Sequence, residues 1–258
     1  MPSYINLRGH QVWNYEWANN GEALVLLHGG LSATEDWDTC VLPAVESKHH
    51  VFAYDRTGQG RTADQPNSLH FDFQCAEAIA YLEDVVKEPA HLVGWSDGGI
   101  IALMIAIQRP ELVKSIVALG ANYHHNSGGK PIPVWTISDE DRVEYAMRSP
   151  DAPETIDSKQ SRMLAIWNSE PTMTTGDLAK ITCPTLILAG DDEPFSLEHT
   201  SALYEAIPQG QLAVIPGTSH FVIKEKPELT QMVIKQFLVD LSAPITRMPI
   251  RRTNPEII

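Results

Sequence analysis

The chain of 258 residues carries 33 Asp and Glu against 19 Lys and Arg, a formal net charge of −14. That excess excludes nucleic acid and anionic membrane surfaces as expected partners, because phosphate binding needs clustered Lys and Arg. The length fits one α/β domain with an insertion, the apolar fraction of 43% allows a large core, and no run of about 18 apolar residues could span a membrane.

Tyr4 to Leu7 and Gln11 to Trp17 alternate apolar and polar residues around Arg8-Gly9-His10, the pattern of an antiparallel hairpin at a sheet edge. Met1–Arg8 has no basic region leading into an apolar core, so no signal peptide is expected and the cytoplasm is the default compartment. Ala23–Leu27 is a continuous apolar run, as in a strand buried on both faces, and it ends in His28-Gly29-Gly30-Leu31. A short helix is expected over Thr34–Val45, a strand over Val51–Tyr54, and then the loop Asp55-Arg56-Thr57-Gly58-Gln59-Gly60, where Asp55 or Arg56 braces the turn. Apolar residues at helical spacing predict a helix over Phe71–Val86. A strand over Ala90–Val93, a helix over Ile100–Ile107 and a strand over Val113–Leu119 follow.

From Tyr123 to about Ile181 this rhythm stops and Pro and Gly become frequent. Short helical patterns remain at Asp139–Met147 and Thr155–Trp167, so 123–181 reads as an inserted helical cap on a core made of 1–122 and 182–246. The strand–helix alternation resumes with strands at Thr185–Ala189 and Leu212–Ile215 and helices at Leu197–Ile207 and Glu228–Leu241. Residues 247–258, with Arg251 and Arg252, read as a C-terminal extension.

The chemistry centres on Gly94-Trp95-Ser96-Asp97-Gly98. A sharp strand-to-helix turn strains its middle residue and brings neighbouring backbone too close for side chains two positions away, which explains Gly94 and Gly98. The turn lifts the Ser96 hydroxyl clear of the sheet and leaves the Asp97 amide, at the helix start, free to donate to an anion. A second oxyanion donor is expected from the glycine pair: the amide of Gly30, or that of Leu31. A serine hydroxyl needs a base and an acid to orient that base. Of ten histidines, His220 alone sits in a glycine-containing loop after a late strand; His49, His50, His124, His125 and His199 read as surface or cap residues. The acid lies in Asp191-Asp192-Glu193, in the order serine, acid, histidine. The cap residues Trp135, Tyr145, Met147, Met163, Trp167 and Met173 read mostly as packing, with one or two, Trp167 among them, facing the cleft as a substrate pocket. Cys40, Cys75 and Cys183 read as buried small hydrophobes; no metal site, phosphate loop or dinucleotide pattern appears, so no metal or cofactor is expected.

Over 20–242 the motifs His28-Gly29-Gly30, Asp55-Arg56-x-Gly58-x-Gly60, Gly94-x-Ser96-x-Gly98, Gly190-x-x-Glu193 and Gly217-x-x-His220 resemble those of α/β-hydrolase-fold enzymes. The resemblance implies a mostly parallel sheet flanked by helices and a serine hydrolase acting on a small-molecule carboxylic ester. It also implies an acid three positions after Gly190. The family usually has Asp there, and this chain has Glu193; Asp192 and then Asp191 are the alternatives. Gly94-Trp95-Ser96-Asp97-Gly98-Gly99-Ile100 is similar to the elbow of valacyclovir-hydrolase-like enzymes, which cleave α-amino-acid esters and pair the acid after the nucleophile with the substrate's ammonium. Asp97 is then a substrate contact; otherwise it is a first-turn acid pointing to solvent. The same fold also supports cleavage of activated C–C bonds, and a ligand-binding protein without turnover. Haloalkane dehalogenation and epoxide opening are excluded because they use an Asp nucleophile in this fold.

Overall fold

The computed structural model describes residues 2–130, 132 and 134–250; the part of the expected extension from Arg251 onward lies outside them. Eight strands form one sheet: β1 (Ser3–Leu7), β2 (His10–Trp17), β3 (Ala23–Leu27), β4 (His50–Asp55), β5 (Ala90–Trp95), β6 (Val113–Leu119), β7 (Thr185–Asp192) and β8 (Gly210–Ser219). Their spatial order is β1-β2-β4-β3-β5-β6-β7-β8. β2 pairs antiparallel with β1 and β4, and every later neighbour is parallel. The helices are α1 (Leu42–Val45), α2 (Phe71–Tyr81), α3 (Asp97–Gln108), α4 (Asp139–Arg148), α5 (Thr155–Trp167), α6 (Thr175–Leu178), α7 (Leu197–Ala206), α8 (Val222–Glu225) and α9 (Pro227–Val239).

The all-apolar β3 run follows from its place in the middle of the sheet, where helices cover both faces. Val25 and Leu27 join Leu92 and the α3 residues Ile100 and Leu103 in one core layer. Leu24 and Leu26 point the other way, with Val93, Val45, Ile234 and Phe237. Burying each such side chain contributes about 1.5–3 kcal/mol. α3 has no polar face because it is enclosed: every residue from Asp97 to Ala106 is buried.

Three stretches differ from the pattern in the sequence: 34–45, the end of the Phe71–Val86 helix, and the paired ends of β7 and β8. The stretch 34–45 breaks into a 3₁₀ turn, Thr34–Trp37, and the separate α1, whose second residue is Pro43; a proline cannot continue a helix that began upstream, because it lacks the amide proton. The helix over Phe71–Val86 widens at its end, where Lys87 N–H reaches back five residues to the Leu82 carbonyl at 2.8 Å. β7 and β8 run past their apolar residues into polar ones, still paired at Asp192 and Ser219. Backbone pairing outlasts the apolar pattern there and carries both strands up to the site.

Between β6 and β7 the chain leaves the sheet to build α4, α5 and α6. α4 starts at a reciprocal cap between Ser138 and Asp141 and buries none of its residues. α5 is tied down by Lys159, 2% exposed, whose ammonium donates to the Gly58 carbonyl (2.8 Å) and pairs with Asp151 (2.6 Å). Removing the carboxylate strands a buried cation, whereas replacing the lysine by an apolar residue strands only the half-buried acid. Asp151→Ala is therefore expected to destabilise the fold by about 3 kcal/mol and Lys159→Met by less, read as midpoints in urea unfolding.

Candidate active site

Each parallel strand hands the site its next residue. His28 follows β3, Arg56 follows β4, Ser96 follows β5, Gly120 follows β6, Glu193 follows β7 and His220 follows β8. All lie at the carboxyl edge, where chain order reverses between β3 and β5 and a crevice forms.

Ser96 holds φ 54° and ψ −119°, a conformation side chains rarely adopt. The strain is fixed from both sides: Ser96 N–H donates to the Leu119 carbonyl (2.8 Å), and the Ser96 carbonyl accepts from Gly99 and Ile100. A Cβ on Gly98 would overlap the Leu27 carbonyl, and one on Gly94 would overlap that of Gly98. Both glycines are there for close approach, as the elbow pattern requires.

The Ser96 Oγ lies 2.8 Å from His220 Nε2, and His220 Nδ1 lies 2.6 Å from Glu193 Oε2. The Glu193 side chain is 3% exposed, and its Oε1 accepts the Gly190 amide at 3.0 Å. A carboxylate can only accept, so Nδ1 carries the ring proton and Nε2 is left to accept from the serine. The Trp95 indole N–H donates to the His220 carbonyl (3.0 Å) and fixes the loop. Gly120, at φ 55°, lies against the pair: a Cβ there would sit 3.1 Å from His220 Nδ1 and 3.3 Å from Glu193 Oε1. The three carboxylates divide cleanly. Asp191 accepts the amides of Gly217 (2.9 Å) and Thr218 (3.1 Å), which hold it below its ordinary pKa range, and Asp192 is exposed at the β7–β8 pairing. Glu193 is the one that reaches the imidazole.

Asp97 does not point to solvent. It is 2% exposed, its Oδ1 accepts the Trp167 indole N–H at 2.9 Å, and a Cβ on Gly30 would overlap its Oδ2. Burial raises its pKa, while the Arg56 charge, the Trp167 hydrogen bond and His220 pull it back. Trp167 stacks on Trp135, with centroids 6.3 Å apart and planes 24° apart. With its only polar atom on Asp97, it offers a substrate only its ring. As first residue of α3, Asp97 has no intrahelical acceptor for its amide. Gly30 lies beside it, under Asp97 and Trp167.

Other sequence readings fall elsewhere. His199 is buried rather than on the surface: it stacks on Tyr123 at 4.0 Å, accepts the Tyr123 amide, and burial lowers its pKa to about 4. Of the cap residues, Met163 is fully buried while Met147 is 83% exposed. Cys40 and Cys75 are buried, Cys183 is half-buried, and all three are free thiols. Among the described residues no His, Cys, Asp and Glu cluster could hold a metal, and no helix is long and apolar enough to cross a membrane. An open groove of about 610 Å³ between the 64–70 loop and the outer face of α5 contains none of Ser96, His220 and Glu193. Arg56 and His28, to which the sequence gives no role in the chemistry, lie directly under the Gly29–Gly30 loop.

The sequence pattern of the alpha/beta hydrolase family matches residues 24–230. The chain belongs to that family. It is 23% identical to a putative esterase/lipase of Haemophilus influenzae, over 92% of this chain and 88% of that one. It is 26% identical to the (E)-2-((N-methylformamido)methylene)succinate hydrolase of Acinetobacter baylyi, over 91% and 97%. Among solved structures, the meta-cleavage product hydrolase of Pseudomonas fluorescens superposes with a TM-score of 0.73 at 22% identity, over 92% of this chain and 97% of that one. Alpha/beta hydrolases so different in substrate share this fold, so likeness at this level carries the fold and leaves the substrate to the site.

Proposed function

We propose that this protein is a serine hydrolase that cleaves small carboxylic esters through an acyl-enzyme. The observation that carries the reading is the unbroken hydrogen-bond chain from Ser96 Oγ through His220 to the buried Glu193. Ser96 attacks the ester carbonyl as His220 Nε2 takes its proton. Glu193 keeps the imidazole in the required tautomer and stabilises its charged form. The amides of Gly30 and Asp97 receive the oxyanion. His220 then protonates the leaving alkoxide, and a water activated by the same imidazole hydrolyses the acyl-enzyme. Stopped-flow mixing with p-nitrophenyl acetate tests this: the reading requires turnover that Ser96→Ala abolishes, and a folded protein with no turnover of a panel of short-chain esters would count against it.

A second reading narrows the substrate to α-amino-acid esters or amides. It is favoured by Asp97, a buried carboxylate beside the nucleophile whose Oδ2 receives no hydrogen bond among the described residues. A substrate ammonium at Oδ2 would complete the pairing. The test compares a free-amino ester with its N-acetylated twin. A preference of at least about tenfold for the free amine, or 1.4 kcal/mol in the transition state, that disappears in Asp97→Asn supports this reading. Trp167→Phe removes the hydrogen bond that orients the carboxylate and is expected to shrink the preference by about threefold to tenfold. An acetylated ester cleaved equally fast leaves the general esterase.

A further inference from the structure

Arg56 is 1% exposed, and the acceptors of its guanidinium are all neutral. Nη1 donates to Gln74 Oε1 (3.0 Å), Nη2 donates to the carbonyls of His28 (2.9 Å) and Gly29 (2.8 Å), and Nε has no partner. No carboxylate among the described residues lies within ion-pairing distance of it. A permanently charged group held this way is expensive to bury, and its position under the site calls for a reason.

The reason lies in the peptide it touches. The Gly29 carbonyl and the Gly30 N–H are two ends of one amide. That carbonyl oxygen accepts twice, from Arg56 Nη2 and from His28 Nδ1 at 2.7 Å. The Arg56 backbone N–H donates to His28 Nε2 (3.1 Å), so Nε2 is unprotonated and Nδ1 carries the hydrogen. Burial, with the Arg56 charge adding to it, holds this imidazole neutral by pushing its pKa well down. A cation on the carbonyl draws electron density from the amide nitrogen and makes the N–H at the other end a stronger donor. Against the same loop, at Gly30, lies Asp97. A carboxylate there opposes a developing oxyanion unless a cation offsets it.

We propose that Arg56 is a positioning residue of the oxyanion site: it polarises the Gly29–Gly30 peptide to strengthen the Gly30 donor, and it is the counter-charge that lets Asp97 sit beside Ser96. This rests on the reading of the Gly30 amide as an oxyanion donor. The planar guanidinium fork reaches two carbonyls and Gln74 at once, which an ammonium cannot do. The charge of Arg56 also favours the ionised form of Asp97, which buried alone would be pushed toward the neutral acid.

The experiment measures kcat and KM on p-nitrophenyl acetate, and the affinity of a phenylboronic acid, whose anionic tetrahedral adduct on serine mimics the oxyanion. It is run for Arg56→Gln and Arg56→Lys, each alone and combined with Asp97→Asn. Arg56→Gln is expected to lower kcat about thirtyfold with KM within about threefold, and to weaken the boronate by the same factor. Because the Asp97 carboxylate opposes the oxyanion once its counter-charge is gone, the effect of Asp97→Asn on kcat for this neutral ester is expected to be more favourable by about threefold or more in the Arg56→Gln background than in the presence of Arg56. Loss of thermal stability with kcat and boronate affinity unchanged, or an Asp97→Asn effect equal in both backgrounds, would overturn the proposal. Should Arg56→Gln not fold, Arg56→Lys decides: a matched loss of about threefold or more in kcat and boronate affinity supports the proposal, and no loss in either overturns it. Labelling of each variant by a fluorophosphonate separates this from the broader reading. An unlabelled wild-type protein removes the serine-hydrolase assignment and this proposal together, whereas a labelled variant with normal kinetics removes only this one.

Discussion

Ser96→Ala is expected to lower kcat on a turned-over ester by about 10⁶-fold while leaving the fold intact. The oxygen lost is the one atom that would bond to substrate, and among the described residues the hydroxyl's one hydrogen bond is to His220 Nε2. The strain at this position belongs to the backbone and persists in the variant, held by the Leu119 carbonyl and the first turn of α3. Unchanged or slightly raised thermal stability should therefore accompany the loss. Kinetics and melting temperature measured on one preparation check both halves. A residual rate above about one part in 10³ would mean that something other than Ser96 starts the reaction.

Glu193→Gln carries the second largest expected effect, a fall of about 10⁴-fold in kcat with KM little changed. A glutamine can present its NH₂ to Nδ1, which places the ring proton on Nε2, where it can no longer accept from Ser96. Glu193→Asp should keep the tautomer and lose less, because only reach is shortened. The control is Asp191→Asn. Asp191 holds the amides of Gly217 and Thr218 near the end of β8, just before His220. Its loss is expected to cost about 1–2 kcal/mol of stability and to leave kcat within about threefold. A reversed order of effects would move the acid role to Asp191.

The fold was legible because the features that specify it are local. β3 reads as buried from five apolar residues in a row, and the elbow reads from glycines that neighbouring backbone makes obligatory. The proximity of Ser96 and His220 follows from both being loop residues at the same edge of a parallel sheet. The choice among Asp191, Asp192 and Glu193 was less accessible from residue type alone. It depends on how far β7 and β8 stay paired: the register is irregular between Gly190 and Asp192, and there Asp191 accepts the amides of Gly217 and Thr218.

The surroundings of Asp97 could not be read from the sequence. Its burial is set by Trp167, which stands 70 residues away on α5, and no periodicity within α5 says where that helix docks. Arg56 was hidden for a different reason. Its partners are two main-chain carbonyls, which leave no residue pattern, and a neutral glutamine, Gln74, which stands 18 residues away, so in sequence it is one more charge after a strand. The signal available was a charged residue immediately following a strand buried from Val51 to Asp55, at the same edge as the glycine pair.

Under the proposed function Ser96, driven by His220, forms a covalent intermediate. Mass spectrometry of the protein treated with a fluorophosphonate tests it most directly. A single adduct per chain is expected, located on the peptide that contains Ser96 and suppressed in His220→Ala. A folded protein that takes no adduct where a known esterase does, or one modified at a different residue, would contradict it.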